Sequence, residues 1–152
     1  MGRAGEGPDG LMTINDKQDE IIADFSFFEN WMDKYEYIIQ MGKDLPLIDE
    51  QYKTPEYLIK GCQSQVWLHA DYQDGKIVFT ADSDAVITKG LVALVVSVLS
   101  GFSPKEIAEA DLYFVEKIGL SKHLSPTRSN GLLSMLKQIK LYAVALQAKE
   151  NQ

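Results

Sequence analysis

QVWLHADYQDGKIVFTA, running from Gln65 to Ala81, reads as a β-hairpin. Val66, Leu68 and Ala70 alternate with Trp67, His69 and Asp71, the period of a strand with one face buried. Asp74-Gly75 is a two-residue turn signal, because both residues tolerate the positive backbone angles that a tight hairpin needs. Lys76 to Ala81 then returns as the partner strand, with Ile77 and Phe79 facing the same way. A hairpin alone is marginal in water and must bury its apolar face against another layer.

That layer is expected from helices on both sides. Downstream, Val86, Ile87, Leu91, Leu94, Val95 and Val98 cover more than half the circumference of a helix ending near Ser100, so this helix is expected to be central. Asp82 or Ser83 is expected to cap it, with Asp84 adding negative charge at its N-terminus. Gly101 suits its stop. Ser103-Pro104-Lys105-Glu106 is a capping box with proline at the first helical position, opening a short helix. Leu112 to Ile118 is a second short apolar stretch, ended by Gly119. Ser125-Pro126 starts the last helix, striped by Leu132, Leu136, Ile139, Ala143 and Leu146.

Upstream, Ile21, Phe25, Phe28, Met32, Tyr35 and Ile39 lie three and four residues apart, with a break expected at Asn30. Gly42 and Leu45-Pro46 close this region. Tyr57 to Lys60 is expected as a third short strand before the turn Gly61-Cys62-Gln63-Ser64. The fold class is therefore α+β: a small antiparallel sheet of about three strands packed against helices.

The chain has 152 residues, which suits one domain over 12–152. Met1 to Leu11 is Gly-rich, contains Pro8 and lacks an apolar core. It is expected to be a leader outside the fold, such as an added tag ahead of a start at Met12. Fifteen basic residues stand against 22 acidic ones, a formal net charge of −7. That balance disfavours a phosphate-binding surface, so no nucleic-acid partner is expected. The apolar run Leu91 to Leu99 is too short to span a bilayer, and no membrane role is expected.

One cysteine is present, so no internal disulfide forms, and a thiolate zinc site would lack its other ligands. A lone thiol fits a reducing cytoplasm. Cys62 follows Gly61 in a loop at the sheet edge. The thiolate is the nucleophile, yet only about 3% of an ordinary thiol ionises at neutral pH. Cys62 therefore needs help from a cation, loop N–H groups or a partner. His69 is expected well along the sheet from it, and His123 lies in a loop. Arg128 falls in the first turn of the last helix, where a cation is disfavoured. A carboxylate or an anionic sulfur species is expected beside it. No phosphate loop, dinucleotide fingerprint or hydrolase elbow is present.

Gly61-Cys62-Gln63-Ser64-Gln65-Val66-Trp67 resembles the signature of the SufE family of sulfur-acceptor proteins. Three further segments agree in order and spacing: WMDKYEYIIQMGKDLP from Trp31 to Pro46, Asp82 to Ala85 with Lys89-Gly90-Leu91, and HLSPTRSNGL from His123 to Leu132. The likeness covers roughly Ile21 to Leu146. Ser125 stands where many members carry Thr. The resemblance implies a fold shared with the IscU-like scaffolds of iron–sulfur cluster assembly. It implies that Cys62 accepts the terminal sulfur of a persulfide made by a pyridoxal-phosphate cysteine desulfurase, stimulates that enzyme, and delivers the sulfur to a SufB-type cluster scaffold. The desulfurase is SufS-type or CsdA-like, and the chain is expected to hold no cofactor of its own and to be a monomer or weak homodimer. Arg128 and Asp84 match family positions near the acceptor loop or partner contact, and Gly61 and Gln63 flank the cysteine. The competing readings are a cysteine-nucleophile hydrolase or acyltransferase, which needs a base beside Cys62, and an interaction-only desulfurase regulator.

Overall fold

The computed structural model describes residues 12–150, and the expected leader, Met1 to Leu11, lies outside them. Helix α1 (Ile14–Ser26) opens on a capping box: the Asp16 N–H donates to Thr13 Oγ1 at 3.0 Å, and the Thr13 N–H donates to the Asp16 carboxylate at 3.1 Å. The break expected at Asn30 is present. Its side chain accepts from the Asp33 N–H and caps α2 (Trp31–Lys43). Two 3₁₀ turns, Glu50–Tyr52 and Pro55–Tyr57, carry the chain to the hairpin of β1 (Val66–Gln73) and β2 (Lys76–Ser83). Helices α3 (Val86–Leu99), α4 (Pro104–Glu109), α5 (Phe114–Lys117), α6 (Leu120–His123) and α7 (Pro126–Glu150) complete the order.

The hairpin forms as its sequence dictates. Gln73 pairs with Lys76 across Asp74 and Gly75, both at positive φ (51° and 80°). The register sets Leu68 opposite Ala81 and Ala70 opposite Phe79. Val66, Leu68, Ile77, Phe79 and Ala81 are all fully buried on the inner face. Burying that face against α3, and α3 in turn against α2, makes one continuous core. Helix α3 is buried over most of its surface, as expected for a central element.

Two expectations need correction. The sheet has two strands among the described residues, not about three. Pro55 sets a 3₁₀ turn, and Tyr57 to Lys60 contributes only a single bridge, Leu58 to Trp67, with the Ile59 N–H donating to the Val66 carbonyl at 2.8 Å. Bridges at Leu47–Ala81 and Ile77–Phe102 guard the other edge in the same way. Strand β2 also runs on through Ser83, so neither Asp82 nor Ser83 caps α3. The cap position is Ala85, which makes no side-chain cap bond.

Asp82 instead pairs with Lys53 at 2.7 Å and Lys89 at 3.3 Å. Burial pulls its carboxyl upward, but hydrogen bonds from Lys53, the Ser83 N–H and Lys89 prevail and hold it below the ordinary value. Helices α2 and α3 meet through glycines. A Cβ on Gly90 would fall well inside contact distance of the Ile38 carbonyl, and one on Gly42 would lie 3.0 Å from the Gly90 nitrogen. This close crossing fixes where α3 begins, and so fixes one wall of the site below.

Candidate functional site

Cys62 sits in the loop between the strap of 3₁₀ turns and β1, and the loop lies on the first turns of α7. Gly61 makes the approach possible. Its φ is +89°, and a Cβ there would stand 2.5 Å from Ser134 Oγ. Gly131 faces the loop from the helix side, where a Cβ would meet Cys62 Sγ at 3.4 Å, an ordinary contact. A glycine inside a helix costs about 1 kcal/mol against alanine, which makes its presence in α7 a signal in the sequence.

The loop is braced where it enters β1. The Gln65 N–H donates to Asp84 Oδ1 at 3.0 Å, and the Asp84 N–H donates back to the Gln65 carbonyl at 3.3 Å. Asp84 is expected to add negative charge at the N-terminus of α3, and its carboxylate is committed to the Cys62 loop, while Ala85 takes the cap position.

Cys62 is half-buried and borders a cavity of about 70 Å³. Leu91, Leu132 and Met135 form apolar walls. Gln63, Ser64, Thr88, Thr127 and Arg128 bring polar groups to the same space. The Cys62 S–H donates to the Gly131 carbonyl at 3.5 Å. Burial raises the thiol pKa above its ordinary value, and donation to a carbonyl also favours the protonated form. The thiol is thus held neutral and weakly nucleophilic.

Of the sequence-predicted residues, the fold brings Cys62, Gln63 and Arg128 to one cavity and places Gly61 and Asp84 on the loop's supports. Arg128 is exposed, and no acid among the described residues pairs with it, so the carboxylate partner expected for it is not there. Its backbone N–H donates to Ser125 Oγ at 3.2 Å, capping α7. The first turns of α3 and α7 both reach the cavity, through Thr88 and through Thr127 and Arg128. Helix N-terminal turns favour negative charge. Sequence reasoning missed Thr88, Gly131 and Met135 as wall residues; among these, only the helix-interior glycine carried a signal.

No imidazole lines the cavity. His69 stacks on Tyr52 with centroids 4.0 Å apart and rings 7° from parallel, beside Tyr57. His123 stacks on Trp31 at 4.0 Å, and its Nδ1 lies 3.1 Å from the Gly119 carbonyl oxygen. Both rings are engaged elsewhere in the fold. Among the described residues, no group of three or more His, Cys, Asp or Glu side chains is placed to hold a metal ion. No helix among them is long and apolar enough to cross a membrane.

Comparison with known proteins gives the family and the fold. Residues 19–143 match the model of the SufE family, described as an Fe–S metabolism associated domain. An uncharacterized SufE-like protein of Rhizobium meliloti is 47% identical over 127 residues, covering 80% of this chain and 91% of that one. A second, from Rhizobium etli, is 44% identical over 138 residues, covering 88% and 93%. The solution structure of a hypothetical protein from Thermus thermophilus superposes with a TM-score of 0.73. It covers 87% of this chain and 96% of its own, at 19% identity, a likeness of fold.

Proposed function

The chain belongs to the SufE family, whose model spans Cys62 and the elements around it, and from that premise we propose that it is a sulfur carrier of iron–sulfur metabolism with Cys62 as the acceptor. A cysteine desulfurase of the SufS or CsdA-like type, itself carrying pyridoxal phosphate, presents a persulfide. The Cys62 thiolate attacks the outer sulfur. The donor's S–S bond breaks, its electron pair leaves on the donor thiolate, and the new bond joins Cys62 Sγ to the transferred sulfur. The product passes to a SufB-type scaffold. Relieving the desulfurase of its persulfide is how the chain stimulates it.

The carrying observation is the seat of Cys62: one thiol, half-buried beside a cavity with room for a small group, with no His, Asp or Glu among the described residues that line it. Such a thiol is protected while undocked and takes its activation from a partner. Arg128, exposed and without an acid partner among the described residues, is suited to that contact. On docking the loop lifts Cys62 out of its seat; Gly61 and Gln63 travel with it, and the Asp84 bonds to Gln65 set how readily it leaves. The same observation disfavours the hydrolase or acyltransferase reading, since both imidazoles are stacked away from the thiol.

Mass spectrometry after incubation with a cysteine desulfurase and free cysteine tests the reading. One added sulfur on Cys62, removed by a reductant, is the expected result. An unmodified chain beside an active desulfurase would sink it. Cys62→Ser separates a carrier from an interaction-only regulator, because a regulator would still stimulate the desulfurase.

A further inference from the structure

Sulfur loading changes what the site must bind. The thiol donates its proton to the Gly131 carbonyl. A persulfide has no proton on Sγ, and its outer sulfur is acidic enough to carry charge at neutral pH. The carbonyl oxygen cannot stabilise that charge. A hydrogen-bond donor elsewhere in the cavity is needed, because unpaired charge in a partly buried space is costly.

Thr88 meets that need. It is half-buried, lines the cavity with Cys62, and stands in the first turn of α3. Its hydroxyl has no hydrogen-bond partner among the described residues. The other polar groups of the wall are worse placed for a stored sulfur. Gln63, Thr127 and Arg128 are exposed to water, and Ser64 lies on the loop that carries Cys62. Thr88 instead sits on the helix locked to α2 by the Gly90–Ile38 crossing. Leu91 and Met135 supply an apolar wall, beside which one hydrogen bond to an anion counts for more than in water.

We infer that the Thr88 hydroxyl donates a hydrogen bond to the outer sulfur of the Cys62 persulfide, making Thr88 a specificity residue for the charged, loaded state of the carrier. The inference rests on the carrier reading for its biological sense, but the contact itself is a property of this chain and is tested without a desulfurase.

The test loads purified wild-type, Thr88→Val and Thr88→Ser chains with inorganic polysulfide, removes the excess, and titrates the near-ultraviolet absorbance of the persulfide anion against pH. Valine keeps the shape of threonine and removes the donor; serine keeps the donor. The expected midpoint in Thr88→Val lies about one pH unit above wild type, the order expected for losing one hydrogen bond to a charged group. Thr88→Ser is expected to restore the wild-type midpoint. A change in packing alone would not be rescued by serine in this way. Equal midpoints in wild type and Thr88→Val would overturn the inference. So would an equal displacement in the valine and serine variants. Because polysulfide supplies the sulfur, neither result depends on whether a desulfurase is the natural donor.

Discussion

Cys62 Sγ lies 3.5 Å from the carbonyl oxygen of Gly131, a residue 69 positions further along the chain. This contact joins the Cys62 loop to α7 and favours the protonated thiol. Burial and donation to a carbonyl both favour S–H over the thiolate.

The first prediction concerns alkylation. The rate for Cys62 plotted against pH is expected to show a midpoint above that of a free cysteine, and to fall to the ordinary value in denaturant. Stability follows the same sign. A raised folded-state pKa stabilises the fold fully below the ordinary thiol value and loses that contribution as pH rises through the folded one. The stability difference between wild type and Cys62→Ala should therefore shrink across alkaline pH. A midpoint at or below that of free cysteine would contradict the buried seat.

Gly61→Ala places a Cβ at φ +89° and against Ser134 Oγ. The backbone strain alone is about 1–2 kcal/mol. Chemical denaturation should show a loss of that order, with Cys62 alkylated faster as the loop lifts. Adding Ser134→Gly removes the clash but not the strain, so only part of the loss should return. Full recovery would mean that the loop tolerates alanine at this angle.

Asp84→Ala deletes the acceptor for the Gln65 N–H while leaving the Cys62 cavity lining intact. One hydrogen bond is worth about 1 kcal/mol, so alkylation of Cys62 through loop opening should rise about five-fold. Asp84→Asn keeps an acceptor oxygen and is expected to stay near wild type. Identical rates in all three chains would remove Asp84 from control of the loop.

Gly90→Ala tests the α2–α3 crossing. The new methyl collides with the Ile38 backbone, which cannot swing aside as a side chain can. The cost is expected at the upper end of overpacking, about 3 kcal/mol. Gly42→Ala, with its Cβ 3.0 Å from the Gly90 nitrogen, should cost less. Thermal melting of the two variants gives the order directly.

Much of the fold was legible because its signals are local. Asp74-Gly75 and the alternation from Val66 to Phe79 specify a hairpin whatever surrounds it. Asn30, the Ser103–Glu106 capping box and Gly119 mark their boundaries for the same reason, since a cap is made by neighbours in sequence. The failures are equally physical. Asp82 follows a strand and precedes a helix, so local chemistry reads it as a cap. Lys53, 29 positions earlier, makes it an ion-pair partner instead and lets β2 run on to Ser83. Tyr57 to Lys60 has strand-like residues, but Pro55 and the 3₁₀ turn leave room for only one bridge.

The same division holds at the site. Sequence by itself singled out Cys62, because composition left no other thiol and the GCQSQVW stretch matched a family motif. Only the tertiary structure decided what surrounds that thiol. Gly131 and Met135 reach it from α7 and Thr88 from α3, and α3 is positioned by the Gly42–Gly90 crossing with α2, far from the loop. A side chain's reactivity depends on the solvent and donors within a few ångströms of it. Here those come from residues that chain order keeps apart and packing brings together.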